Sequence, residues 1–153
     1  MKYALLFVSV LLIALTSCEE SESLEAIAGV EGVVNFDAVW PDSIAGAVVV
    51  VFDVDLDLDS LNTSDYPVFD HFITYGDPIG RGVQNSDYFI QLEPGGYILM
   101  VIGLLIDPAQ LLANEDLLQE IQKYIVVPEN AAPRGIVIRE KKINEQTDWY
   151  VHF

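Results

Sequence analysis

The sequence contains little cysteine and little positive charge. It has one cysteine and two histidines, and 7 Lys and Arg residues stand against 24 Asp and Glu residues, which gives a formal net charge of −17. A single cysteine excludes an internal disulfide framework and a metal site built from several cysteines. A surface this acidic, without a basic stripe, repels a phosphate backbone, so the composition excludes ordinary nucleic-acid binding.

Apolar residues are abundant in spite of this charge. They make up 52% of the 153 positions. Chains that stay disordered combine high charge with low hydrophobicity, so the composition predicts a folded protein. The length fits one domain of ordinary size.

Residues 1–17 have the layout of a secretory signal peptide. Lys2 supplies a positive start, a short apolar run follows, and small residues end the segment. The apolar run over residues 3–17 is shorter than the roughly 20 residues that a membrane-spanning helix needs. We therefore expect a cleaved signal and not a retained membrane span.

The segment Leu15-Thr16-Ser17-Cys18 resembles the bacterial lipobox. That resemblance implies cleavage just before Cys18, and a diacylglycerol and an amide-linked acyl chain on Cys18. Two or more acyl chains hold a protein stably at a membrane. The alternative is an ordinary signal peptide followed by an unrelated cysteine. The resemblance predicts a protein of the cell envelope, anchored to a bacterial membrane on its extracytoplasmic side.

A dense acidic run follows Cys18. Residues 19–25 read Glu-Glu-Ser-Glu-Ser-Leu-Glu, and such a run is typical of a solvated spacer. It also resembles the acidic export tags that send some Gram-negative lipoproteins outward, which favours the outer membrane or the cell surface. We expect residues 18–28 to be an acidic flexible tether. Because Lys2 leaves with the signal and no acidic residue does, the mature charge would be −18.

The rest of the chain, residues 29–153, is predicted to be one mainly β domain. β-Branched and aromatic runs predict an antiparallel β-sandwich of about seven strands. The expected strands cover residues 30–40, 44–52, 68–75, 86–92 and 97–106, with closing strands at 124–127, 135–142 and 149–153. The continuous apolar run from Val48 to Phe52 predicts a strand buried on both faces.

One short helix is predicted at residues 108–123. Asp107 can cap its start, Pro108 suits its first position, and apolar residues recur at helical spacing. Asn114 lies inside this segment, where it would either break the helix or restart it.

Three segments of this domain resemble the carboxypeptidase-regulatory-like and transthyretin-like domains. They are residues 32–36, 44–50 and 88–99, the last of which contains Pro94, Gly95, Gly96 and Tyr97. The resemblance implies a tight turn at the two glycines and a tyrosine that packs at the start of the next strand. Domains of this family are mostly non-catalytic modules, so it also implies binding, spacing or scaffolding.

An acidic row at residues 53–59 is the most unusual stretch. Asp53, Asp55, Asp57 and Asp59 alternate with apolar residues. One interpretation is Ca²⁺ binding, because Ca²⁺ prefers several carboxylate oxygens. The other is the end of the second strand, with Val54, Leu56 and Leu58 facing inward and the acids in water. No other cofactor is indicated.

The two histidines lie outside any catalytic motif. His71 and His152 are expected to be ordinary strand residues, because a catalytic or metal-binding role needs converging partners. No nucleophile or phosphate-binding motif accompanies them. We therefore expect a protein without enzymatic activity.

Two clusters near the C-terminus have open interpretations. Arg134, Arg139, Lys141 and Lys142 gather most of the positive charge. They form either a docking strip for an acidic partner or lipid headgroups, or pairs with acids on neighbouring strands. The aromatic residues in 149–153 form either a binding patch or the packed side of a last strand.

Three functions follow from these observations. The first is a lipid-anchored, non-catalytic β-sandwich that binds or scaffolds an envelope protein or glycan. The second is a surface module that binds Ca²⁺ or carbohydrate. The third is an envelope hydrolase.

Overall fold

The computed structural model describes residues 27–36, 39–60, 68–146 and 148–153. The predicted signal peptide, the predicted lipidation site Cys18 and the acidic run at 19–25 lie outside these described residues. Within the described ranges, none of the helices has the length and apolar character needed to cross a membrane.

The described residues form strands and a few short helices. The helices are α1 (Pro108–Leu112) and α2 (Glu115–Gln119), and 3-10 turns lie at Leu58–Ser60, Val68–His71 and Ile121–Lys123. The strands are β1 (Gly29–Phe36), β2 (Gly46–Asp53), β3 (Phe72–Tyr75), β4 (Ile79–Gly80), β5 (Asn85–Gln91), β6 (Gly95–Leu104), β7 (Ile125–Val126), β8 (Arg134–Ile138), β9 (Ile143–Glu145) and β10 (Trp149–Val151).

The strands form two sheets, which confirms the predicted mainly β sandwich. In the first sheet β1 lies between β5 on one side and β9 and β10 on the other. In the second sheet β2 and β6 are central, with β3 and β4 beside β2 and with β7 and β8 beside β6. The second sheet is antiparallel throughout, but β1 pairs in parallel with both β9 and β10. The first sheet is therefore mixed and not purely antiparallel.

Strand β2 is buried on both faces, as its continuous apolar run predicts. Val49 and Val51 belong to the core between the two sheets. Val48, Val50 and Phe52 belong to a second core on the opposite face, together with Leu111 and Ile121 from the helical segment. Because successive side chains of a strand point to opposite faces, one strand serves both cores. The domain thus has three layers, in the order first sheet, second sheet and helical cover.

The helical cover is divided where the sequence placed one continuous helix. The Asp107 carboxylate caps α1 by accepting hydrogen bonds from the amides of Ala109 and Gln110, at 2.9 and 3.2 Å. The Asn114 side chain then accepts hydrogen bonds from the amides of Asp116 and Leu117. An Asn at this position caps a new helix, so the single helix at 108–123 is corrected to two short helices and a 3-10 turn.

Candidate functional site

The acidic row at 53–59 leaves the sheet after its first member. Asp53 ends β2, and its carboxylate accepts a hydrogen bond from the Asp55 amide at 2.9 Å. The Asp57 carboxylate likewise accepts one from the Asp59 amide at 3.1 Å. Such local bonds from Asp side chains compete with strand pairing. They turn the chain here instead of extending β2.

The expected inward face of this row is therefore wrong for two of its three apolar residues. Val54 is 59% exposed and Leu58 is exposed as well, whereas Leu56 is buried in the core beneath the helices. No group of three or more His, Cys, Asp or Glu side chains in the described ranges is placed to hold a metal ion. Ca²⁺ binding by this row has no structural support in that part of the chain.

Asp53 has a partner that the sequence did not reveal. The His71 Nδ1 atom lies 3.1 Å from Asp53 Oδ1, and both side chains are partly exposed. The expected strand at 68–75 begins only at Phe72, so His71 lies in the preceding 3-10 turn. Phe52 and Phe72 are register partners on the antiparallel strands β2 and β3. Asp53, which follows Phe52, therefore lies beside His71, which precedes Phe72. Knowledge of that register would have predicted this pair.

The predicted tight turn at Pro94 to Tyr97 is corrected to a bend at Pro94, because Gly95, Gly96 and Tyr97 already belong to β6, and this bend joins the first sheet to the second. The Tyr97 hydroxyl donates a hydrogen bond to the Glu93 carbonyl at 3.1 Å, and the ring packs on the core between the sheets. A Cβ on Gly95 would lie 3.2 Å from that hydroxyl, and one on Gly96 would lie 3.0 Å from the Val54 side chain. Neither glycine has a positive φ, so the need for glycine here is close packing and not an unusual backbone conformation.

Arg134, Trp149 and Tyr88 are neighbours, and Arg134 stacks on Trp149. The Arg134 guanidinium lies 3.6 Å from the centroid of the Trp149 ring, and its Nη2 donates a hydrogen bond to the Asp148 carbonyl. Burial lowers the pKa of Arg134 below its ordinary value. The Tyr88 hydroxyl lies over Gly32, where a Cβ would come within 2.7 Å of it.

This cluster predicts alkaline sensitivity. Burial raises the pKa of the Tyr88 phenol, and the neighbouring Trp149 and Arg134 oppose that rise only in part. In the unfolded chain the phenol ionises near pH 10, so above about pH 10 the unfolded state holds fewer protons than the folded one and folding stability falls. We expect the free energy of unfolding to drop less steeply between about pH 9.5 and 11 in Tyr88→Phe. Chemical denaturation at several pH values measures this, and equal slopes in both proteins would contradict it.

Three basic residues at the turn between β8 and β9, here called the basic corner, are Arg139, Lys141 and Lys142. All three are exposed, and within the described residues none forms an ion pair. The expectation that they pair with acids on neighbouring strands is therefore wrong in that part of the chain. The reason is their position on a turn, with Lys141 at a φ of 57°, beyond the paired parts of the strands.

Two cations elsewhere in the described residues provide a contrast. Arg81 pairs with Asp42 at 2.6 Å, and Lys123 pairs with Glu120 at 2.7 Å. The hydrogen bond from Glu120 raises the pKa of the Lys123 ammonium group. Ion pairing is thus available elsewhere on this acidic surface, but the basic corner is left exposed.

The chain enters the domain beside the basic corner. The Gly29 amide donates a hydrogen bond to the Lys142 carbonyl at 3.2 Å. Ile27 and Ala28 line a shallow depression together with Lys141. Residue 27, where the described part of the chain begins, therefore lies beside the basic corner.

A groove of about 530 Å³ separates β8 from β9 and is called the β8–β9 groove below. It carries two cations, two exposed apolar side chains, one acid and one glycine, which are Arg139, Lys142, Val137, Ile143, Glu145 and Gly135. The groove thus offers polar, charged and apolar contacts.

The aromatic C-terminus divides between packing and exposure. Trp149 is buried in the core, and the Phe153 ring lies 6.1 Å from that of Phe36 and 5.5 Å from that of Trp40. The packing interpretation is confirmed for these two residues. Tyr150 points outward and is largely exposed, and Phe89 on β5 is partly exposed, but β1 lies between their strands.

No protein-family model, curated protein or solved structure matches this chain. The resemblance to carboxypeptidase-regulatory-like and transthyretin-like domains stays a prediction.

Proposed function

We propose that the protein is a lipid-anchored, non-catalytic module of the bacterial cell envelope that binds an envelope partner. The anchor is the lipid on Cys18, and the binding element is the β-sandwich. The observation that carries the binding part is the exposed basic corner, which has no ion pair within the described residues of a chain with a net charge of −17.

The entry point of the chain supports this combination. Nine residue steps separate Cys18 from Ile27, and an extended chain spans at most about 3.4 Å per residue. Ile27 is therefore at most about 30 Å from the lipid-bearing residue. Because Ile27 and Ala28 lie beside Lys141, the basic corner is on the side of the domain nearest the tether, close to other proteins of the same membrane.

The anchor is tested by membrane fractionation. Cys18→Ser removes the thiol that would carry the lipid, and we expect the variant to leave the membrane fraction. Ser17→Ala is the matched control, because it keeps a small residue before the cleavage point, and it should stay in the membrane fraction. Retention of Cys18→Ser in the membrane fraction would overturn the anchoring proposal.

A further inference from the structure

Strand β8 has a backbone edge that faces the β8–β9 groove. The Val137 carbonyl accepts a hydrogen bond from the Asn144 side chain at 3.2 Å, so the peptide group of Val137 points away from β6 and toward β9. Ile136 and Ile138 are buried, whereas the Val137 side chain is 63% exposed. Gly135 leaves open space where a side chain would stand. Within the described residues β8 pairs only with β6. Its other edge is therefore a template for another chain, which would replace the hydrogen bond from Asn144 to the Val137 carbonyl, while the Arg139 carbonyl is held by the Lys142 amide.

The charges around this edge favour an incoming chain that is negatively charged. Arg139 and Lys142 line the groove and Lys141 lies on the same turn, while Glu145 is the one acid among the lining residues. None of the three cations forms an ion pair within the described residues. An incoming segment with carboxylates at alternate positions would meet these cations from one face while its backbone pairs with β8.

We propose that the β8–β9 groove binds an acidic segment of an envelope partner in extended conformation, which adds as a strand to β8. Strand addition takes its affinity from main-chain hydrogen bonds and its specificity from alternate side chains. The Asn144 amide occupies the position that a peptide N–H takes at the Val137 carbonyl, and Val137 and Ile143 supply apolar contact. This inference deepens the proposed function, on which it rests, by naming the surface and the chemistry of the partner.

An extended peptide fits these observations better than an anionic membrane does. An anionic membrane faces a broad area of the domain at once. Because the net charge of the chain is strongly negative, such a membrane repels the domain as a whole. A peptide in the groove lies within a few ångströms of the basic corner, and charges beyond about 8 Å are largely screened at physiological ionic strength. The peptide therefore experiences mainly the local positive charge.

The probe is a fluorescein-labelled octapeptide of alternating Glu and Val, measured by fluorescence polarisation. The protein is the full chain as purified from its own cells, with nanodiscs of zwitterionic lipid present. We expect saturable binding that the double substitution Arg139→Gln with Lys142→Gln weakens about tenfold, since two charge contacts are lost. Lys123→Gln removes an ordinary paired cation and should leave the affinity within about twofold.

Backbone pairing has a separate test. Val137→Pro removes an N–H on the groove side of an edge strand, where proline is tolerated, and it should weaken binding about tenfold. If thermal unfolding shows that this variant is misfolded, an octapeptide with N-methylated valines tests the same hydrogen bonds without altering the protein. Unchanged affinity for the methylated peptide would overturn strand addition.

Three other results would overturn the proposal. Equal or tighter binding of a Lys-Val octapeptide would show that the negative net charge of the chain, and not the basic corner, determines which peptide binds. Loss of peptide binding in nanodiscs that contain anionic lipid would assign the groove to lipid headgroups. Tighter binding after Glu19, Glu20, Glu22 and Glu25 are all changed to Gln would assign it to the chain's own acidic run. Fractionation of Cys18→Ser is independent of all three, so the anchoring proposal can fail or stand separately.

Discussion

Replacing Trp149 with alanine lowers the free energy of unfolding by about 4 kcal/mol, the middle of the range for a buried Trp or Phe. Trp149 is 1% exposed and pairs through β10 with the central strand β1. The substitution opens a cavity between the sheets and also removes the ring on which Arg134 stacks. Because whole domains are stable by only about 5–15 kcal/mol, this substitution removes a large share of the free energy of unfolding. Deletion of residues 149–153 should then unfold the domain.

Tyr150→Ala is the matched control for this prediction. Tyr150 is the next residue of the same strand, but its side chain is 68% exposed on the outer face. Exposed substitutions of this kind change stability by less than about 0.5 kcal/mol. Equal losses from Trp149→Ala and Tyr150→Ala in chemical denaturation would contradict the packing of β10.

Val50→Asp prevents folding, because it places a carboxylate in the core beneath the helices without a partner. The isosteric change Val50→Thr gives a graded result, and we expect a loss of about 2 kcal/mol from the buried hydroxyl. Val49→Thr should lose a similar amount, since both valines are 1% exposed on opposite faces of β2. Chemical denaturation measures the free energy of unfolding of the two variants. Similar losses in both would show that β2 is packed into a core on each face.

Val137→Thr is the comparison for these two substitutions. It makes the same change on an exposed face of β8 and should alter stability by less than about 0.5 kcal/mol. A sandwich without a helical layer would tolerate Thr at position 50 as it does at position 137. That result would contradict the three-layer architecture.

Local sequence patterns predicted the parts of this fold that local chemistry determines. The run at 48–52 predicted a strand buried on both faces, and Asp107 and Pro108 predicted the start of a helix. Asn114 carried both interpretations, and its capping hydrogen bonds show that the helix restarts. In each case the decisive interactions lie within a few residues of the chain.

The same patterns could not predict what depends on long-range pairing. The parallel pairing of β1 with β9 and β10 joins residues more than a hundred positions apart, and no local signal encodes that register. The pair of His71 with Asp53 depends on the register of β2 and β3. At 53–59 the alternation was typical of a strand, but hydrogen bonds from the Asp side chains to nearby amides turned the chain instead.

The basic corner shows the same limit at the candidate site. Four cations between positions 134 and 142 were compatible with ion pairing or with docking. Arg134 stacks on Trp149, whereas the other three are exposed on a turn without ion pairs in the described residues. This difference could be predicted only from the paths of β8 and β9. Sequence composition gave the charge of this region but not its availability to a partner.

The mass of the mature N-terminus tests the central claim most directly. We expect the protein purified from its own cells to begin at Cys18, and its N-terminal peptide to carry the mass of a diacylglycerol with an amide-linked acyl chain. A mature protein that starts elsewhere, or that carries an unmodified Cys18, would contradict the account of a lipid-anchored binding module.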